Sequence, residues 1–297
     1  MSEIRTLLLT AILALATIFV VRWVQSMRTA PTPFRWPTPV QLLIGFLVSF
    51  FDTLGIGSLA TTTTVFRALR MVPDERLPGT MIVGLTVGVS VQALIFISAI
   101  QIDITLLVLM IGTALAGGWL GASVVSRLPR RPIQAAMGMG LLLAALFMTI
   151  AQLNRMPVGG AALTLSGGPL YLALAVNFVL GALIMVGIGN YGPTFVLLSA
   201  LGMDPRAAFP IMMGGGAFAA LLGCLAFVKR RSQVDQPALG LAIGSVPGVL
   251  VAALLVTSLP LEQLKWLVIA VIVYAGATML RAALRPAGAP PAVEVAI

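Results

Sequence analysis

Apolar stretches of about 20 residues recur along nearly the whole chain, separated by loops of about five to fifteen residues. At about 1.5 Å rise per helical residue, such a stretch spans the roughly 30 Å hydrocarbon core of a bilayer. The 297 residues are 59% hydrophobic and 9% charged, with a mean hydropathy of +1.07. Water would not keep that composition dispersed, so the solvent is lipid. The expected fold class is an all-α polytopic membrane protein, with no room for a separate soluble domain.

The spans are not independent of one another. Shifting the sequence by 132 positions pairs Gly55-Ile56-Gly57 with Gly187-Ile188-Gly189, Phe46 with Phe178 and Thr62 with Thr194. The register continues without a gap through Met71 with Met203, Pro73 with Pro205, Pro78 with Pro210, Gly84 with Gly216, Asp103 with Asp235 and Gly112 with Gly244. Chance similarity between apolar helices would not keep glycines, prolines and an aspartate in step, so the chain reads as a duplication. The expected division is residues 1–39 as an N-terminal transmembrane helix and cytoplasmic loop and 40–153 as the first repeat. An external linker at 154–170, the second repeat at 171–285 and a disordered C-terminal tail at 286–297 complete it.

Each repeat holds three plain spans: Gly79 to Ile100, Ile104 to Val125 and Pro132 to Leu153, then Ala207 to Val228, Pro237 to Thr257 and Leu261 to Leu284. The remaining segments, Val40 to Leu69 and Tyr171 to Leu201, are about 30 residues long and are interrupted by Gly-Ile-Gly. A straight helix of that length overshoots the bilayer core, so each either tilts and runs onto the surface or turns back as a re-entrant hairpin. The positive-inside rule favours hairpins. With two hairpins, the clusters Arg22/Arg28/Arg35, Arg67/Arg70/Arg76, Arg127/Arg130/Arg131, Lys229/Arg230/Arg231 and Arg281/Arg285 all fall on the cytoplasmic side. Only the isolated Arg155, Arg206 and Lys265 stay outside. Three spans per repeat then invert the second unit relative to the first. The helix Thr6 to Val24 has Arg5 before it and Arg22 and Arg28 after it, the reverse of a cleavable signal peptide, and reads as an anchor with the N-terminus outside and the C-terminus cytoplasmic. Trp23 and Trp36 flank the first cytoplasmic loop, where amphipathic rings suit the interface.

Backbone that leaves the helix inside hydrocarbon must line a wet or ligand-filled cavity, because unpaired N–H and C=O groups cost several kcal/mol each. Gly55, Gly57, Gly187, Gly189 and Gly192 permit the reversal. Ser58 and Asn190 are natural N-caps for the restarted helices, and Pro193 fits a first turn. Free N–H groups and a partial positive charge at each restart favour an anion near the midplane. Ser58, Thr61, Thr62, Thr63, Thr64, Asn190, Tyr191 and Thr194 supply neutral donors around it; such glycines and hydroxyl residues also serve ordinary helix packing. Asp52 is the one charge well inside an apolar segment and is the coupling candidate, with a proton as its ion. Ile184 holds the matching position in the second repeat. Asp103 and Asp235 read as N-caps. Asp74 and Glu75, beside Arg76, read as solvated loop charges. Gln92 faces either the cavity or a neighbouring helix.

Other chemistry is narrowed by what is missing. Histidine is absent and Cys224 is the lone cysteine, which removes imidazole sites, an internal disulfide and multi-cysteine metal centres. The formal charge of +9 lies in clusters between spans rather than along one face, so it reads as topology and not as nucleic-acid binding. No nucleotide-binding motif supports primary transport. No cofactor or metal is called for, and apart from Asp52 the spans offer no carboxylate for an enzyme.

Gly55-Ile56-Gly57-Ser58, Met71-Val72-Pro73, Pro78-Gly79-Thr80, Gly187 to Pro193, Phe209 to Gly214 and Gly244 to Gly248 resemble the sulfite exporter TauE/SafE family, also called the toluene sulfonate uptake permease family. The resemblance covers about Val40 to Leu284. Ser58 and Leu59 stand where the family pattern carries further glycines, and no proline follows closely. The resemblance implies movement of sulfite, sulfonates or related sulfur or carboxylate anions across a bacterial inner membrane. The expected function is secondary transport of such an anion by alternating access. An anion channel, or a transporter of a carboxylate or neutral metabolite, is the alternative. The expected partners are a small anionic substrate, a coupling proton and the lipid bilayer; direction and oligomeric state are left open.

Overall fold

The computed structural model describes residues 2–30, 34–55, 57–73, 75–125, 162–184, 191–258 and 261–284, with scattered positions between 135 and 160. These residues are helical almost throughout. In chain order the helices are α1 (Ser2–Arg28), α2 (Pro39–Thr53), α3 (Ser58–Ala68), α4 (Leu77–Ala99) and α5 (Ile104–Val125). They are followed by α6 (Gly167–Ile184), α7 (Tyr191–Ala200), α8 (Ala208–Arg230), α9 (Asp235–Ser258) and α10 (Leu261–Leu284). Among the described residues four helices, Glu3–Arg28, Leu77–Ala99, Ala208–Arg230 and Asp235–Ser258, are long and apolar enough to cross a membrane. That is the composition of a multi-pass membrane protein. Most of the expected span Pro132 to Leu153 lies outside the described residues, as does the tail from residue 285.

The helix starts follow from local sequence. Thr38 caps α2 by accepting from the Gln41 N–H at 3.3 Å, and the Gln41 side chain accepts from the Thr38 N–H at 2.9 Å. Pro39 takes the first position, where its missing N–H costs nothing. Asp103 caps α5 as expected, its carboxylate accepting from Leu106 N–H at 2.8 Å. Asp235 departs from expectation. It lies in the first turn of α9, and its carboxylate accepts instead from Trp23 Nε1 at 2.9 Å and Gln233 Nε2 at 3.1 Å. Trp23 is therefore not an interfacial ring but a buried one, 3% exposed and stacked on Phe19. Trp36, by contrast, is 73% exposed.

Interhelical contacts define two ends of the bundle. At one, Arg231 donates to the Thr29 carbonyl and hydroxyl, Gln236 Nε2 donates to Trp36 O, and Val234 N–H donates to the Thr80 hydroxyl. This end gathers the end of α1, the start of α2, the start of α4 and the turn between α8 and α9. The chain leaving α3 returns here too, because Phe66, Val72 and Leu77 pack with Ile44, Leu241 and Val234. At the other end Arg5 donates to Ile100 O, Asp103 N–H donates to Leu163 O, and Ala162 exchanges backbone bonds with Gly202 and Asp204. The start of α6 and the end of α7 belong to that end. So α2 and α3 enter and leave at one end, and α6 and α7 at the other.

α4 lies deepest, with 72% of its apolar window buried against 11% for α1. Its main partners are α8 and α9; α2 packs on α9, and α5 on α6. Residues 132 apart place α2 with α6, α4 with α8 and α5 with α9. That correspondence turns the α2–α9 contact into the α6–α5 contact and returns α4–α8 to itself. The close packing uses small residues, as helices do where no hydrophobic force separates lipid from protein. Gly240, Gly244 and Gly248 form a stripe on α9 against Gln41, Leu42 and Phe46 of α2, while Gly117 of α5 meets Phe178 of α6. Phe46 and Phe178 are themselves a matched pair.

Gly244 and Gly112 are matched positions in unlike surroundings: a methyl on Gly244 would strike Leu42 O and Phe46 N, whereas one on Gly112 would meet nothing within 4 Å. Gly244→Ala is expected to destabilise the protein by about 1–3 kcal/mol through overpacking. Gly112→Ala is expected to be neutral or stabilising by up to about 1 kcal/mol, the helix propensity difference. Thermal unfolding in detergent distinguishes them, and equal midpoints would contradict the α2–α9 packing.

Candidate functional site

The break between α2 and α3 builds the site. α2 closes with Leu54 N–H on Phe50 O and Gly55 N–H on Asp52 O. Gly55 and Gly57 then take φ values of +101° and +85°, which cost an L-residue about 1–3 kcal/mol and cost glycine almost nothing. Ile56 lies outside the described residues. α3 restarts with Gly57, not Ser58, as its N-cap, a residue with no side chain of its own to cap the helix. A Cβ on Gly57 would meet nothing within 4 Å. The entry of the same hairpin is doubly capped at Thr38 and Gln41, whereas its interior restart lies against Asp52.

Asp52 sits against that restart. It is 3% exposed, and Ser58 turns both its hydroxyl and its backbone N–H to the carboxylate. From α4, Gln92 Nε2 donates to Asp52 Oδ2 at 3.0 Å and to the Thr53 hydroxyl at 2.8 Å. Thr53 in turn donates to Ser49 O at 2.7 Å. Gln92 is fully buried, and its Oε1 has no hydrogen-bond partner among the described residues. Of the two roles open to Gln92, a neighbouring-helix bond is present, and its partner is Asp52.

The threonines of α3 are arranged differently from a set of free donors. Thr61 donates to Ser58 O at 2.9 Å, Thr62 to Ser58 O at 2.8 Å, and Thr63 to Leu59 O at 2.7 Å. Their hydroxyl protons are spent on the preceding turn, as small hydroxyl side chains in helices commonly are. Ser58 is the residue of this helix whose donors face the break. Nothing is described of the Thr64 side chain.

From the other half, Tyr191 opens α7 and is buried, with its hydroxyl packed over Gly216 and near Val89. It lies within electrostatic reach of Asp52, so the start of α7 and the break of the first hairpin come together. Thr194, in the first turns of α7, is fully buried, and its hydroxyl has no partner among the described residues. Pro193 lies in the first turn of α7, where it suits a helix start. Gly187, Gly189 and Asn190 lie outside the described residues.

Asn177 was not singled out from sequence. It is buried on α6 and donates to Met110 O at 2.6 Å and the Thr113 hydroxyl at 3.2 Å on α5. An amide in an apolar run is its only sequence signal, and its bonds tie two helices together away from the break. The apolar groove bounded by Val24, Arg28, Phe34, Trp36 and Ile243 is likewise remote from the break.

No curated protein and no solved structure matches the chain. A family model does: the one described as Sulfite exporter TauE/SafE matches residues 2–148. The match reaches further toward the N-terminus than the motifs do, taking in α1, and it leaves the second repeat outside. Within it lie the first break, Asp52, Ser58 and Gln92. The match covers just under half of the chain, and over those residues the chain is similar to the TauE/SafE sulfite exporter family.

Proposed function

We propose that the chain is a secondary transporter that moves a small organic or sulfur-containing anion, such as a sulfonate or sulfite, across the bacterial inner membrane. The site lies near the midplane between two opposed broken helices, and the two repeats, 40–153 and 171–285, rock about it to give alternating access. The observation that carries this reading is the restart of α3 inside an apolar bundle after two positive-φ glycines, where the N–H groups of the first turn and the helix dipole favour an anion. The buried hydroxyl of Thr194, without a partner among the described residues, and the nearby Tyr191 supply matching donors from the second repeat. Gly55, Gly57 and Ser58 form one wall, and Gly187, Gly189, Asn190, Tyr191 and Thr194 the other. Thr61 and Thr62 present hydroxyl oxygens behind the first wall. A proton is the coupling ion and Asp52 carries it.

The inverted arrangement is supported by the packing, in which α2 and α3 open to one end of the bundle and α6 and α7 to the other. The end that carries Arg28, Arg67, Arg70, Arg230 and Arg231 is cytoplasmic under the positive-inside rule, which leaves the N-terminus outside.

Flux of sulfite, methanesulfonate and p-toluenesulfonate into proteoliposomes tests the proposal. Saturable uptake, accelerated by the same anion trapped inside, is expected. Gly57→Ala is expected to fold but to slow uptake at least about tenfold, because about 1–3 kcal/mol of backbone strain displaces the donors. Unitary conductance without saturation would replace the transporter by a channel, and absence of flux for all three anions would remove the substrate class.

A further inference from the structure

Resting on the transporter reading, the break presents a conflict that identifies how proton and anion are linked. The donors that suit a substrate anion, the Ser58 hydroxyl and N–H, already face the Asp52 carboxylate, and Gln92 Nε2 adds a third. An ionised Asp52 is thus an internal anion occupying the positive end of α3. No Lys or Arg side chain among the described residues lies against it. Its surroundings are Thr53 and Ser49 of α2, Ser58 of α3, Gln92 of α4 and Tyr191 of α7, whose phenol is the one other titratable group. α9, packed against α2, brings Ser245 toward Gly88 and Ser49, and no charge.

We propose that Asp52 must take up a proton before the anion can bind at the start of α3, so that one proton and one anion occupy the site together and cross in the same direction. A protonated Asp52 needs an acceptor for its O–H in place of the donors it gives up. Gln92 Oε1 is buried and, among the described residues, unpartnered on the same amide that now donates to Asp52. Turning that amide over presents the oxygen to the acid and withdraws the N–H, leaving the Ser58 donors to the substrate. A proton is the ion this exchange calls for, because protonation removes the negative charge that holds the Ser58 and Gln92 donors on Asp52.

The second repeat lacks this device. Ile184 stands at the position matching Asp52, Gly181 at that of Ser49 and Cys224 at that of Gln92. Cys224 is buried with its thiol donating to Leu221 O at 3.2 Å, so it is satisfied within its own helix. One centre therefore carries one proton per anion.

Binding calorimetry on the purified full chain tests this with methanesulfonate, p-toluenesulfonate and sulfate, whose charges stay fixed between about pH 5 and about pH 9. Above the midpoint of Asp52's titration, affinity is expected to fall about tenfold per pH unit, the slope of one linked proton. Repeating the titration in buffers of different ionisation heat counts the protons taken up, with one per anion as the limit. Asp52→Asn, which keeps the site neutral, is expected to bind with an affinity that does not change with pH. Wild-type binding that ignores pH, uptake of two protons, or an unchanged slope in Asp52→Asn would each overturn the pairing. No binding of any probe at any pH would instead remove the anion reading, and the pairing with it.

Discussion

A helix interrupted inside an apolar bundle must satisfy its freed backbone groups, and the rest of this structure is arranged around that requirement. Gly55 and Gly57 turn the chain at positive φ, and the start of α3 has a glycine as its N-cap. What faces the exposed donors is Asp52, and what orients Asp52 is Gln92 from the most enclosed helix, α4. The glycine stripe of α9 lets α2 lie close enough to hold the break in place. Packing, polarity and backbone geometry thus converge on one short segment.

Much of this was legible in the sequence because it depends on local pattern. Apolar length gave the helices, Gly-Ile-Gly gave the first break, and an aspartate one residue before a helix start gave the Asp103 cap. Asp52 stood out as a charge with no apolar excuse. What the sequence did not reveal rests on contacts between distant residues. Trp23 meets Asp235 across 212 positions and Gln92 meets Asp52 across 40, and no local signal selects either partner. The threonines of α3 illustrate a different limit. Their composition reads as a donor set, yet helix geometry offers each hydroxyl a carbonyl one turn back, and that nearer acceptor wins. Ser58 escapes because the turn before it is not helical.

Duplication explains both the symmetry and its failure. Matched helices exchange their packing partners, as in α2 on α9 and α6 on α5, so a single way of packing serves twice. The chemistry is not duplicated. Asp52, Gln92 and Ser58 correspond to Ile184, Cys224 and Asn190 at the matched positions, so the buried carboxylate and its amide partner occur in one half alone. Two halves that pack alike but differ in charge fit the proposed rocking of one repeat against the other, with Asp52 as its single charged point.

The central claim is that the starts of α3 and α7 line one anion site reached in turn from each face of the membrane. Single cysteines at Ser58 and at Thr194, in a Cys224→Ser background, test it through labelling by a membrane-impermeant thiol reagent in oriented vesicles. The account predicts that both positions label from either side and that millimolar methanesulfonate protects both. Labelling of one position from one side only, or labelling that the anion leaves unchanged at both, would contradict it.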